Sequence, residues 1–186
     1  MPCSQHPLHL LSNHSSPFKI IYRYQVLVFS VKFKVEPVSV SQINTYDRQK
    51  AEDAIDGNLN TKSHVKCAWN TDLWYKMKFD AVYCFSEVIV VQSNWNYAER
   101  MDETEVFVFN SDTGTESLCG VLKVSDVLTI EGQTYRITCD LKCGDEVKLT
   151  VRHTKDNYHK VACIHMKEIK AFHTGLYDIV QSSYEK

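Results

Sequence analysis

The 186-residue chain predicts an all-β sandwich. Short β-rich runs recur with turn signals between them, two of these runs alternate apolar and polar residues strictly, and no window of useful length keeps a helical apolar period. A run at residues 37–40 opens the series. In "WYKMKF" at 74–79, Tyr75, Met77 and Phe79 alternate with Lys76 and Lys78, the period of a strand with one dry and one wet face. Runs at 88–91, 104–110 and 134–138 are rich in Val, Ile, Phe, Tyr and Thr. At 147–152 Val147, Leu149 and Val151 alternate with Lys148, Thr150 and Arg152, and a run at 164–172 closes the series. The one helical hint is a turn around residues 53–55.

Length and composition set the remaining bounds. The chain is long enough for one domain with a sizeable core, flanked by extensions. A formal charge of −2, with no run of either sign, gives no electrostatic footprint for nucleic acid or an anionic bilayer. Residues 18–35 are apolar, but Lys19, Arg23, Lys32 and Lys34 leave an uncharged run of only eight residues, too short for a transmembrane segment. The same stretch lacks the small-residue cleavage pattern of a signal peptide. A degenerate signal, an extra strand and a mis-set start are the alternatives for residues 1–35. Asn13 heads a glycosylation sequon, which matters only if this stretch is secreted and retained.

Six of the seven cysteines fall between Cys67 and Cys163, and none forms a C-x-x-C pair. Zinc held by paired thiolates is therefore not expected. The density suits an extracellular, disulfide-stapled domain, six buried free thiols in a cytoplasmic protein being the alternative. The function gathers on loops at one end of such a scaffold. Those at 47–71, 93–100 and 112–118 carry Trp69, Trp95, Tyr97 and Arg100, either a rim packed on its own neighbours or a ligand surface.

Several motifs then appear in order: "VSVSQINTYDRQKAEDAIDGN", "CAWNTDLWYKMKF", "SEVIVVQSN", "ERMDETEVFV", "LCG" and "IHMKEIKAF". Together they resemble the F-type lectin (fucolectin) family and its galactose-binding-like relatives, the discoidin and coagulation-factor type C domains. The resemblance covers residues 36–173, leaving 1–35 as an N-terminal extension and 174–186 as a C-terminal tail. It implies a jelly-roll β-sandwich of about eight strands. It also implies a structural Ca²⁺, with Asp56 and Glu168 as side-chain ligands and carbonyls from Asp53, Asn58, Lys66 and Lys167. The chemistry suits a hard cation that takes six to eight oxygens, and a glycine in the loop lets carbonyls turn inward. Family members carry a hydroxyl just before the loop cysteine, where this chain has Lys66. The alternative is an Asp-Gly turn with Glu168 exposed on a strand.

The resemblance further implies a Cys119–Cys139 disulfide. Cys67 matches a family cysteine whose partner lies beside the closing glutamate. Lys167 holds that place here, and Cys163 is the nearest candidate, with pairings to Cys84 and Cys143 as the alternatives. The sugar site departs most from the family. Trp69 stands where fucose binders have a histidine, and "NWNYA" stands where they have an Arg-x-Asp pair. A fucose site is therefore not implied. Trp69, Trp95, Tyr97 and Arg100 suit a sugar site built on stacking and one fixed cation, or a protein-contact patch.

No arrangement of nucleophile, base and orienter stands out. Cys67 has His64 nearby but no thiol-hydrolase signature, and the histidines, among them His153, His159 and His165, show no HExxH pattern and read as solvated side chains. The expected function is a non-catalytic, calcium-stabilised lectin-like module for a glycan. The alternative is a protein-binding sandwich without sugar binding, of an intracellular kind.

Overall fold

The computed structural model describes residues 23–93, 99–124, 133–155 and 161–183. Contacts divide the chain into residues 32–174, which hold the sandwich, and a second unit of 1–31 with 175–186. The strands are β1 (Arg23–Val35), β2 (Ser39–Gln42), β3 (Ser63–His64), β4 (Leu73–Gln92), β5 (Thr104–Asn110), β6 (Thr115–Leu122), β7 (Thr134–Val151) and β8 (His165–Ser183). They hydrogen-bond in the order β1-β8-β4-β7-β5-β6, with β2 added on β4 and β3 on β8.

One long ladder makes two layers because β4 and β7 bend together. The register of β4 on β7 shifts between Lys78 and Tyr83 and again between Phe85 and Glu87, and such irregularities sharpen twist and turn a strand from one layer into the other. Before the bend, β4 pairs with β2 and with residues 146–151 of β7, which also pair with β5. After it, β4 pairs with residues 134–138 of β7 and with β8. Cys84 faces Cys143 at the bend itself, where the two are joined as a disulfide. The fold is thus all-β, a jelly-roll sandwich.

Alternation decides which face is dry. Leu73, Tyr75, Met77 and Phe79 of β4, Val106 and Val108 of β5, and Val147, Leu149 and Val151 of β7 are buried. Facing them from the other layer are Phe85, Val88 and Val90 of β4, Ile137 of β7, and Met166, Ile169 and Ala171 of β8, all in one hydrophobic cluster. Burying such side chains stabilises the fold by about 1.5–3 kcal/mol each before conformational entropy is counted. A second disulfide, Cys119–Cys139, ties β6 at the end of one layer to the outer half-strand of the other.

Two sequence expectations need correction. The runs at 74–79 and 88–91, like those at 134–138 and 147–152, are halves of single bent strands. The expected loop at 112–118 is mostly strand, since β6 begins at Thr115 and pairs with β5. Its turn is confined to a few residues: the Asn110 side chain accepts the Asp112 and Thr113 N–H groups, and Gly114, at φ 68°, closes back on the Asn110 carbonyl. An end strand in "TESLCGVL" has too few apolar residues to announce itself.

Candidate calcium loop and recognition surface

The loop before β3 is pinned to the core at its base. A 3-10 turn spans Ala51–Ala54, with Ala51 and Ala54 buried. The buried Tyr75 hydroxyl donates to the Ala51 carbonyl at 3.0 Å, and the Asp53 carboxylate accepts the Lys50 N–H at 2.8 Å. Gly57 takes φ 74°, a left-handed turn that glycine adopts without steric cost.

Beyond that turn, oxygens converge on one point. The Thr61 hydroxyl lies 2.7 Å from an Asp56 carboxylate oxygen, 2.7 Å from the Asn58 carbonyl and 3.4 Å from the Asp53 carbonyl. The other Asp56 oxygen accepts the Asn58 N–H at 2.8 Å. The Thr61 hydroxyl, and after it the Asn58 N–H, hold the Asp56 carboxyl below its ordinary pKa. Three of the oxygens implied by sequence, on Asp53, Asp56 and Asn58, are therefore brought together.

β3 carries the loop toward Glu168. Ser63 pairs with Met166 and His64 with His165, so the pairing begins two residues after Thr61, and Lys167 and Glu168 follow Met166 directly in β8. Glu168 is 8% exposed and receives the Lys170 ammonium at 2.8 Å, and Lys167 stands beside it in β8. Lys66 lies farther along the other way, exposed, with its N–H bonded to the Asn44 carbonyl. Sequence reasoning sought the loop hydroxyl beside Cys67 and missed Thr61. The signal was present in "DGNLNT", five residues after Asp56.

Past β3, the chain reaches a second cluster. Cys67 is bonded to Cys163. One Arg100 guanidinium nitrogen lies 3.8 Å from the Cys67 sulfur and 3.9 Å from that of Cys163, and the Cys163 N–H donates to the Arg100 carbonyl. His64 presents Nε2 to the Cys67 sulfur at 3.6 Å while its Nδ1 meets the Gln49 side-chain oxygen at 3.2 Å. Burial, with Lys62 and Arg100 adding positive charge, pushes the His64 imidazole down to about 4.

Ala68 bridges to Ala162, which brings the half-buried Trp69 to the same end of the sandwich as Arg100. Trp95 and Tyr97 lie outside the described residues, as do His159 and Asn13. The histidines correct the sequence reading. His153 is fully buried with Nε2 2.9 Å from the Asp102 carbonyl, and His165 is buried with Nδ1 3.0 Å from the Ser93 hydroxyl. Both sit on inward positions that alternation within short, irregular segments did not reveal.

No protein-family model matches the sequence, and no curated protein sequence matches it. Solved structures do. A fucolectin from striped bass (Morone saxatilis) serum aligns with a TM-score of 0.59 and 18% identity over 75% of this chain. The fold is that of the F-type lectins and their galactose-binding-like relatives. The lectin domain of lectinolysin, solved with Lewis B antigen, aligns with a TM-score of 0.59 at 16% identity, over 74% of this chain and 93% of its own. The family 32 carbohydrate-binding module of Clostridium perfringens NanJ, solved with galactose, gives 0.57 at 16%, over 76% and 99%. The chain spans 46% of the length of the striped bass protein. Among the described residues, no helix is long and apolar enough to cross a membrane.

Proposed function

We propose that this F-type-lectin-like sandwich is a non-catalytic, extracellular module that binds a glycan at the end bearing Trp69 and Arg100. The observation that supports it best is the Cys67–Cys163 link, which gathers Arg100 and the segment of Trp69 at one loop end. Solved relatives of the fold carry a Lewis antigen and galactose. Trp69 offers a face for the C–H side of a sugar ring, and Arg100 a planar, charged donor. L-fucose is not the favoured ligand, because the polar groups that grip it in fucolectins are replaced. Trp95 and Tyr97 belong to the same proposed surface. Three disulfides among the described residues support an oxidising, extracellular compartment.

The same reading includes a structural calcium ion. The donor set is all oxygen, as a hard cation requires: the Asp53 and Asn58 carbonyls, the Asp56 carboxylate, Thr61, and from β8 Glu168 with the Lys167 carbonyl. Thr61 supplies a hydroxyl of the kind that family members carry at the place of Lys66. The ion would fix the loop and so the strand leading to Trp69, without touching the sugar. A glycan array read with calcium and with chelator tests both parts. Binding lost in Trp69→Ala and Arg100→Ala supports the surface. An array without a single hit would remove the glycan reading.

A further inference from the structure

His64, Cys67 and Cys163 form a second cluster, whose side chains are ligands in neither the proposed glycan site nor the calcium site. One ligand atom from each lies within 4.8 Å of the others. We propose that Cys67 and Cys163 are a redox-exchangeable staple: when the disulfide is reduced, both thiolates and His64 Nε2 bind one Zn²⁺, which ties the same two segments together.

Geometry carries the argument. Zinc takes sulfur at about 2.3 Å and imidazole nitrogen at about 2.0–2.1 Å in a tetrahedron, so a sulfur and a nitrogen on one ion stand about 3.6 Å apart. His64 Nε2 and the Cys67 sulfur already stand 3.6 Å apart. The two sulfurs need only part from bonding distance to about 3.8 Å, the sulfur-to-sulfur edge of the same tetrahedron. The orientation of the ring also fits. Nδ1 is occupied by the Gln49 side-chain oxygen at 3.2 Å, an acceptor that takes the ring proton and leaves the Nε2 lone pair facing the sulfurs. Metal-bound histidines are oriented by such a contact on their other nitrogen.

Arg100 adds the second requirement, thiolates at neutral pH. Its guanidinium lies within 3.9 Å of both sulfurs, and a nearby cation lowers thiol pKa and favours the departing thiolate in exchange. Cys67 is half-buried while Cys163 is fully buried, so an incoming thiol meets Cys67 first and expels the Cys163 thiolate beside Arg100. Two thiol equivalents complete the step. The protein S–S bond breaks, its sulfurs gain two electrons, the reductant leaves as its own disulfide, and Zn²⁺ displaces the two thiol protons to solvent. Water fills the fourth position.

Cobalt reports such a site directly. The purified full chain, oxidised, should show no thiolate-to-cobalt band with Co²⁺. After anaerobic reduction with a phosphine, one equivalent should give that band and the visible bands of tetrahedral cobalt, both removed by Zn²⁺. Iodoacetamide applied to the reduced chain with and without Zn²⁺ should show zinc-dependent protection of Cys67 and Cys163 and none of the exposed Cys84 and Cys143, as read by peptide mass. His64→Ala, checked by its melting curve while oxidised, should bind Co²⁺ at least tenfold more weakly after reduction. The proposal is overturned by a reduced wild type that takes no cobalt, by equal affinity in His64→Ala, or by zinc-dependent protection that falls on cysteines other than Cys67 and Cys163.

Discussion

Gly144 of β7 lies tight against β5. A β-carbon built there would lie 2.2 Å from the Phe109 carbonyl oxygen, 2.6 Å from a Val108 methyl and 2.7 Å from the Phe109 carbonyl carbon. Two of these three atoms are backbone, in a strand that also pairs with β6, so no rotamer change relieves the contact. Gly144→Ala therefore forces β5 and β7 apart at the bend. Overpacking costs about 1–3 kcal/mol, and a rigid partner puts this case at about 3 kcal/mol. For a chain of this size that lowers the melting midpoint by about 6–12 °C. Gly120→Ala is the internal control: its β-carbon would meet only an Ile137 methyl, at 3.0 Å, which can yield. Neither glycine has positive φ, so the comparison isolates packing from backbone strain. Calorimetry of both variants decides it. Gly144→Ala melting within a degree of wild type, or below Gly120→Ala by no margin, would refute the reasoning.

Other predictions follow from the loop, the bend and the ligand surface. Calcium should raise the melting temperature of wild type relative to chelator, by mass action on the folded form, and this response should vanish in Asp56→Ala and weaken in Thr61→Val. Asp145 is buried and accepts Lys78, the Ser111 hydroxyl at 2.5 Å and the Ser111 N–H at 2.9 Å. Burial pushes its carboxyl up, but Lys78 and both Ser111 donors outweigh burial and hold it below 3.8. Its stabilisation is then present above the unfolded value and lost as pH falls through the lower folded one. Urea titrations at pH 5 and below 3.8 should show a smaller acid loss in Asp145→Asn than in wild type, and parallel losses would contradict it. Trp69→Ala and Arg100→Ala should each weaken glycan binding by about 1–3 kcal/mol if they are anchors, with melting temperatures unchanged.

How much was legible depends on how much of the information was local. Period-two alternation at Tyr75, Met77 and Phe79 and at Val147, Leu149 and Val151 exposed the dry faces, because sheet burial is written residue by residue. The bends were not legible: residues 80–86 of β4 are mostly polar or exposed, and it is the pairing of Tyr83, Cys84 and Phe85 with Gly144, Cys143 and Lys142 that shows the strand continuing through them. The ordered motifs gave the Asp53, Asp56 and Asn58 loop. Thr61 escaped although its contacts with Asp53, Asp56 and Asn58 are local, because the resemblance directed attention to the position before Cys67. The Cys67–Cys163 pair was the nearest candidate in the sequence, but its contacts with His64 and Arg100 escaped, since spacing along the chain says nothing of a disulfide seated against a distant guanidinium.

The recognition claim rests most directly on one titration. A hit from the glycan array is titrated calorimetrically into wild type and into the Trp69→Ala and Arg100→Ala variants, with free L-fucose run alongside in calcium and in chelator. The account predicts saturable, one-site binding of the array ligand to wild type, weakened in both variants, with L-fucose weaker than the array ligand. Tight, calcium-dependent binding of L-fucose that survives both substitutions would contradict it.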